Sequence, residues 1–230
     1  MRFSGKTCLV TGAAGNLGQA VAQAFASEGS SLILMDLHEE HLRSVYGGEG
    51  AGRRFALADL RDAQSVARAL PAGTRIDVLC NIAGGFRMGQ PVHETSDDTW
   101  DLMLGLNAKS VVNCARAVVP GMLAAGGGKI VNVAALAGLS GKANMGAYIA
   151  SKSAVIRLTE TMSAELRDKG INVNCILPST IDTPQNRKDM PKADPRRWVA
   201  PEALAEVVLF LCSEAARAIH GAAIPVNGLV

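Results

Sequence analysis

Thr11-Gly12-Ala13-Ala14-Gly15-Asn16-Leu17-Gly18 follows a short apolar run at residues 6–10 and opens a helix-like pattern at residues 17–28. A glycine-rich turn between a strand and a helix lets the backbone approach a pyrophosphate closely and points the helix N-terminus at the anion. An ordinary strand–helix turn is the competing explanation. Asn16 stands where glycine is the usual choice. Asparagine tolerates left-handed backbone better than most residues, so the turn is expected to survive it.

Outward from this turn, short apolar runs alternate with helix-like patterns. Residues 6–10, 31–35, 54–57, 76–80, 129–133, 171–176 and 222–226 read as strands, being short, aliphatic and bounded by Gly, Asn, Asp or Pro. Residues 17–28, 38–45, 62–70, 100–124, 147–168 and 201–213 read as helices. Gly29, Gly126 and Gly170 are placed as stops, and Pro201 as a first helical residue. This alternation predicts an α/β fold of Rossmann type, a doubly wound, seven-stranded parallel sheet with helices on both faces. No repeat or linker divides residues 1–230, so one nucleotide-binding domain is expected. Residues 184–200, rich in Pro, Asp and basic side chains, are expected to be irregular.

The composition excludes several classes. Net charge is +2, and charged residues make up 19% and aromatics 4% of the 230. That is neither a nucleic-acid footprint nor a set of base-stacking platforms. No apolar run reaches the ~18–20 residues needed to cross a bilayer, and the N-terminus lacks the apolar stretch of a signal peptide. The cysteines (Cys8, Cys80, Cys114, Cys175, Cys212) form no C-x-x-C pair and fall mostly in apolar segments, as expected of reduced core residues in the cytoplasm. The histidines are scattered, so no metal site is expected.

Asp36 ends the second strand, 18 residues past Gly18. A carboxylate there accepts hydrogen bonds from a ribose diol and repels a 2′-phosphate, and neither Ala14 nor Leu37 supplies a compensating cation. The cofactor is therefore expected to be NAD(H) rather than NADP(H). Asp59 and Leu60, after the third strand, either touch the adenine or belong to a plain helix cap at Asp59. Tyr148 and Lys152 lie four residues apart in Gly-Ala-Tyr-Ile-Ala-Ser-Lys and share one face if the segment is helical. A free phenol titrates near pH ~10, and a nearby ammonium favours its ionised form.

Together these residues resemble the classical short-chain dehydrogenase/reductase family over essentially the whole chain. The glycine motif matches residues 11–18. The motif after the fourth strand matches Asn81-Ile82-Ala83-Gly84, the helix asparagine Asn107, the Tyr-x-x-x-Lys pair Tyr148 and Lys152, and the motif after the sixth strand Pro178-Ser179. The resemblance implies an oxidoreductase that interconverts a carbonyl, C=N or quinonoid group and its reduced form, with a 3-oxoacyl-carrier reductase as one instance. It makes Tyr148 the general acid/base and Lys152 a ribose ligand that lowers the Tyr148 pKa. Asn107 would support a proton relay. Gly12, Gly15, Asn16, Leu17, Gly18, Asn81, Ala83, Gly84, Pro178, Ile181 and Thr183 would join Asp36, Asp59 and Leu60 around the cofactor.

One departure bears on catalysis. The family's catalytic serine falls 13 residues before the tyrosine, where this chain has Ala135, preceded by Ala134. Losing one donor to a developing oxyanion typically costs about 10²–10³ in rate. Ser140, Asn144 or a water could replace it, although Ser140 could equally be a loop hydroxyl facing solvent. A quinonoid substrate would need less help. The remaining alternative is a catalytically weak nucleotide-binding module.

On the substrate side, Arg87 directly follows the Asn81 turn and could pair with a substrate carboxylate. Arg187, Lys188, Lys192, Arg196 and Arg197 suit either an anionic substrate or simply a solvated loop. The resemblance further implies a homotetramer, with a dimer as runner-up, built on the helices at 100–124 and 147–168.

Overall fold

The computed structural model describes residues 1–50 and 52–230. Seven parallel strands form one sheet in the order β3-β2-β1-β4-β5-β6-β7. They are β1 (Thr7–Thr11), β2 (Ser31–Asp36), β3 (Arg53–Leu57), β4 (Val78–Asn81), β5 (Gly128–Val133), β6 (Ile171–Pro178) and β7 (Ala223–Val226). The helices are α1 (Asn16–Ser27), α2 (Glu39–Tyr46), α3 (Ala63–Ala69), α4 (Asp97–Met103), α5 (Ser110–Ala124), α6 (Gly146–Leu166), α7 (Pro184–Asp189) and α8 (Pro201–Cys212).

The sheet is buried on both faces because each strand carries apolar side chains up and down. Val10, Leu32 and Leu34 point into a core with Val21, Phe25, Leu42, Leu204 and Val208, beneath α1, α2 and α8. Leu9, Ile33 and Ile130 point the other way, into a core with Val66, Val111, Val118, Val155 and Leu166, beneath α3, α5 and α6. β1 pairs with β2 on one side and β4 on the other, so the chain reverses its winding there. Open α/β sheets bind ligands in the crevice at such a reversal, beyond the strand C-termini. All five cysteines are buried and unbridged, as expected of core residues.

Three expectations need correction. The single helix expected at 100–124 begins earlier, at Asp97, because Ser96 Oγ accepts the Thr99 N–H at 3.3 Å as an N-cap. It is also interrupted by a wide π-type turn, Leu104–Lys109, in which the Ser110 N–H reaches back five residues to the Gly105 carbonyl. The segment 184–200 is not wholly irregular. Thr183 caps α7, accepting from the Asn186 N–H at 3.1 Å, and Pro184 supplies the prearranged first residue. Finally, Asn16 does not adopt left-handed backbone. It is the first residue of α1, and Asn144 (φ 62°) is the only non-glycine at positive φ among the described residues.

Candidate active site

The turn after β1 is held against the turn after β4. Gly12 has φ 61°, and a Cβ there would lie 2.8 Å from Ala83 Cα; one on Gly18 would run into the Gly12 carbonyl. Thr11 ties the two turns, its Oγ1 accepting from the N–H groups of Ile82 (3.0 Å) and Ala83 (3.2 Å). Gly15 caps α1 without a side-chain bond, so no side chain of the cap claims the helix's first N–H groups. Leu17 is buried in the core and offers the crevice only backbone. Asp36 accepts from the Ala14 N–H at 3.0 Å and the Leu37 N–H at 2.8 Å, which places a carboxylate at the rim of the turn. A pyrophosphate on the α1 N-terminus with a ribose at Asp36 fits this arrangement, because missing Cβ atoms and open N–H groups leave the approach clear.

At Asp59 the cap alternative fails. Asp59 does not cap α3; Asp62 does, accepting from the Gln64 N–H at 2.9 Å. The Asp59 carboxylate is taken by Arg61 (Nε 3.0 Å, Nη2 2.8 Å), which holds its pKa below the usual carboxylate value. The Leu60 side chain is buried, and its carbonyl accepts from Asn113 Nδ2 at 2.8 Å. Asn81 is likewise committed to the fold. Its Nδ2 donates to Asn132 Oδ1 (2.8 Å), and Asn132 Nδ2 donates to Thr159 Oγ1 (2.9 Å), a buried polar link from β4 through β5 to α6.

Tyr148, Lys152 and Asn107 do converge. The Lys152 ammonium is buried and donates to the Val133 carbonyl at 2.9 Å. Asn107, presented by the π-type turn, accepts from the Gly85 N–H (2.8 Å) and donates to the Gly85 carbonyl (3.1 Å) and to Ser151 Oγ (2.9 Å). Ser151 Oγ in turn donates to the Tyr148 carbonyl at 2.7 Å. A Cβ on Gly84 would lie 2.9 Å from Asn107 Oδ1 and 3.1 Å from Lys152 Nζ, so only glycine leaves this corner open.

The electrostatics correct another expectation. Burial pushes the Tyr148 phenol up to about 12 and brings Lys152 down to about 8. With Lys152 turned to Val133, loss of solvent rather than the ammonium dominates at Tyr148. Part of that burial comes from Phe86, whose ring stands edge-on to Tyr148 with centroids 4.8 Å apart. Ala135 is 6% exposed, in extended backbone before the short turn Leu136–Leu139. Ser140 and the Asn144 side chain are exposed; the Asn144 carbonyl accepts the Gly89 N–H at 2.9 Å.

Pro178 ends β6, and Ile181 and Thr183 follow in the turn that leads into α7. Ile181 bridges to Val199 and gives its carbonyl to Asn186 Nδ2 at 2.8 Å. Two of the five cations of the basic loop are ion-paired, Arg187 with Asp182 and Arg196 with Asp194, and Arg197 donates to the Leu229 carbonyl. Arg87 is exposed and reaches only the Phe86 carbonyl, at 3.4 Å. Ser151 escapes the sequence reading, and so do the ties that Thr11 and Phe86 make, although Thr11 belongs to the glycine motif and Phe86 to the segment 85–88 expected near substrate. Their partners lie tens of residues away, and no spacing rule announces them.

A doubly wound sheet with an anion-ready turn, a carboxylate at its rim and a Tyr/Lys/Asn cluster beside it defines a dinucleotide-dependent oxidoreductase. The family model for short chain dehydrogenase matches residues 6–194. The 3-oxoacyl-acyl-carrier-protein reductase of Thermotoga maritima is 35% identical, with 99% of this chain and 98% of the relative covered. A solved NAD⁺-bound xylitol dehydrogenase superposes with a TM-score of 0.90 at 29% identity, covering 99% of this chain and 100% of that one. A gluconate 5-dehydrogenase from Burkholderia cenocepacia, in complex with NADP and tartrate, gives 0.90 at 28% identity, covering 99% and 95%. The chain belongs to the short-chain dehydrogenase family and is an NAD(P)-dependent oxidoreductase of carbonyl and alcohol groups. No described helix is long and apolar enough to cross a membrane.

Proposed function

We propose that the chain reduces a carbonyl compound with NADH, with Tyr148 as the proton donor. The observation that carries this is that a buried Lys152 and a clamped Asn107 meet at Gly84, beside the turn at Gly12, with Tyr148 one helical turn before Lys152 and tied through Ser151 to Asn107. Nicotinamide bound there supplies the hydride that reduces the carbonyl carbon. Tyr148 Oη, protonated at neutral pH as any phenol is, gives the proton to the carbonyl oxygen. Lys152 binds the nicotinamide ribose, and its charge keeps the phenol's proton transferable once the hydroxyl is engaged. Ile181 and Thr183 orient the carboxamide. Asn107 holds residue 85 and the start of α6 in register, and supports proton resupply. Single-turnover mixing of the NADH complex with ketones, quinones and imines tests the proposal. Tight NADH binding without oxidation by any of them would overturn it.

Preference for NADH over NADPH rests on Asp36. Hydrogen bonds to a charged group contribute about 1.5–3 kcal/mol, so Asp36→Ala is expected to weaken NADH binding about 10–100-fold. NADPH, no longer repelled, should lose nothing or gain. Fluorescence titration of both cofactors checks this, and wild-type affinity for NADPH equal to that for NADH would sink it. The reduced, buried cysteines support a cytoplasmic location. Half-exposed Leu104 and Leu123 on the α4–α5 segment support assembly into a homotetramer, or a dimer, to be read by light scattering.

A further inference from the structure

Residues 85–92 form a strap across the N-terminal end of α6. Four ties hold it. Asn107 clamps Gly85 through both backbone groups. The Phe86 ring rests on Tyr148. The Gly89 N–H donates to the Asn144 carbonyl at 2.9 Å, and Asn144 reaches that geometry in left-handed backbone. Val92 packs against Gly146, where an added Cβ would lie 2.7 Å from Val92 Cγ2. Despite these ties the strap keeps large apolar side chains in the open, with Phe86 49%, Met88 59% and Val92 61% exposed. An apolar surface beside a proton donor suits a substrate that brings apolar surface of its own.

We propose that this strap is the substrate-selecting wall of the site, and that Phe86 both fixes the Tyr148 ring and favours a carbonyl flanked by an aliphatic or aromatic group over a polyhydroxylated one. This rests on the carbonyl-reductase reading above. Phe86 and Met88 offer the hydroxyls of a keto sugar no hydrogen-bond partner, whereas an aliphatic or aromatic flank would cover their exposed apolar surface. Ala135 removes a further donor two residues beyond the Val133 carbonyl that holds Lys152. Arg87 is the strap's one charged side chain, and it is exposed. The discrimination therefore runs opposite to that expected from the xylitol- and gluconate-acting relatives.

The test compares 4-phenyl-2-butanone with xylulose, using wild type, Phe86→Ala and Gly146→Ala. Wild type should favour the phenyl ketone in kcat/KM. Phe86→Ala should lower kcat/KM for it about 10–100-fold, since an apolar contact of this size discriminates by about that much, and change xylulose less than threefold. Gly146→Ala, which displaces Val92 without touching Phe86, should shift selection the same way by a smaller factor. A second measurement needs no turnover: in the cofactor-free protein, tyrosinate absorbance should rise at lower pH in Phe86→Ala, because Tyr148 regains solvent. Equal losses on both substrates with an unmoved titration would make Phe86 merely structural and overturn the proposal. A wild-type preference for xylulose would also overturn it, leaving the reductase intact. NADH oxidation by neither, despite NADH binding, would instead bring down the reductase reading and this one with it.

Discussion

Ala135→Ser is expected to raise the single-turnover rate of ketone reduction about 10²–10³-fold, the usual worth of one donor aimed at a developing oxyanion. The proposed general acid is Tyr148, and just past β5, where the resemblance would put a hydroxyl, the chain has the methyl of Ala135. Ala135 is buried and extended, so a serine there keeps the backbone and adds a single oxygen. The gain should fall in kcat, because the new hydrogen bond strengthens as charge develops on the carbonyl oxygen. Stopped-flow NADH absorbance on wild type and variant measures it. An unchanged rate would mean that another group, or the substrate itself, already does what the serine would do.

Tyr148→Phe should remove about 10²–10⁴ of the rate, the range that a well-placed general acid contributes. The substitution keeps the ring and its edge-on contact with Phe86 and deletes only Oη. NADH affinity should therefore stay within about twofold, which a titration of cofactor fluorescence would verify. Activity above a tenth of wild type would assign the proton donor elsewhere. The two variants also speak to each other. If Ala135→Ser raises the rate by the same factor in a Tyr148→Phe background, the serine acts by holding the oxygen; a much larger factor would mean that it supplies the proton.

The layout of the fold was legible because its signals are local. Strand–helix alternation, the glycine turn and the Tyr-Lys spacing each sit within a few residues, and α/β architecture follows from them. The strand order could be anticipated only as a class; the reversal between β1 and β4 is a matter of non-local pairing. At the site, residues whose roles are backbone geometry, such as Gly12 and Gly18, stood out, whereas those defined by a distant partner did not. Asp59 looked free until Arg61 was seen to hold it, and Asn81 until Asn132 was. Phe86 sits in a glycine-flanked loop with no periodicity, so nothing before the three-dimensional contact links it to Tyr148. The expected lowering of the Tyr148 pKa failed for a similar reason. Spacing predicts that Lys152 shares a face with Tyr148, but not that its ammonium turns to Val133.

The wide turn at Leu104–Lys109 makes chain length itself a constraint. The helical segment from Asp97 to Ala124 carries one residue more than an unbroken α-helix would use, and Ser110 Oγ accommodates it by donating to the Leu106 carbonyl at 2.6 Å. Removing any one residue there would restore the α pitch and rotate α4 by roughly 100° about the helix axis. Asn107 would then lose either Gly85 or Ser151, and Met103 would leave its buried place. Loops elsewhere on this sheet can lengthen or shorten as the chain diverges. A deletion in this segment is expected to cost more than one in an exposed loop, because the surplus residue is what turns Asn107 toward Gly85 and Ser151.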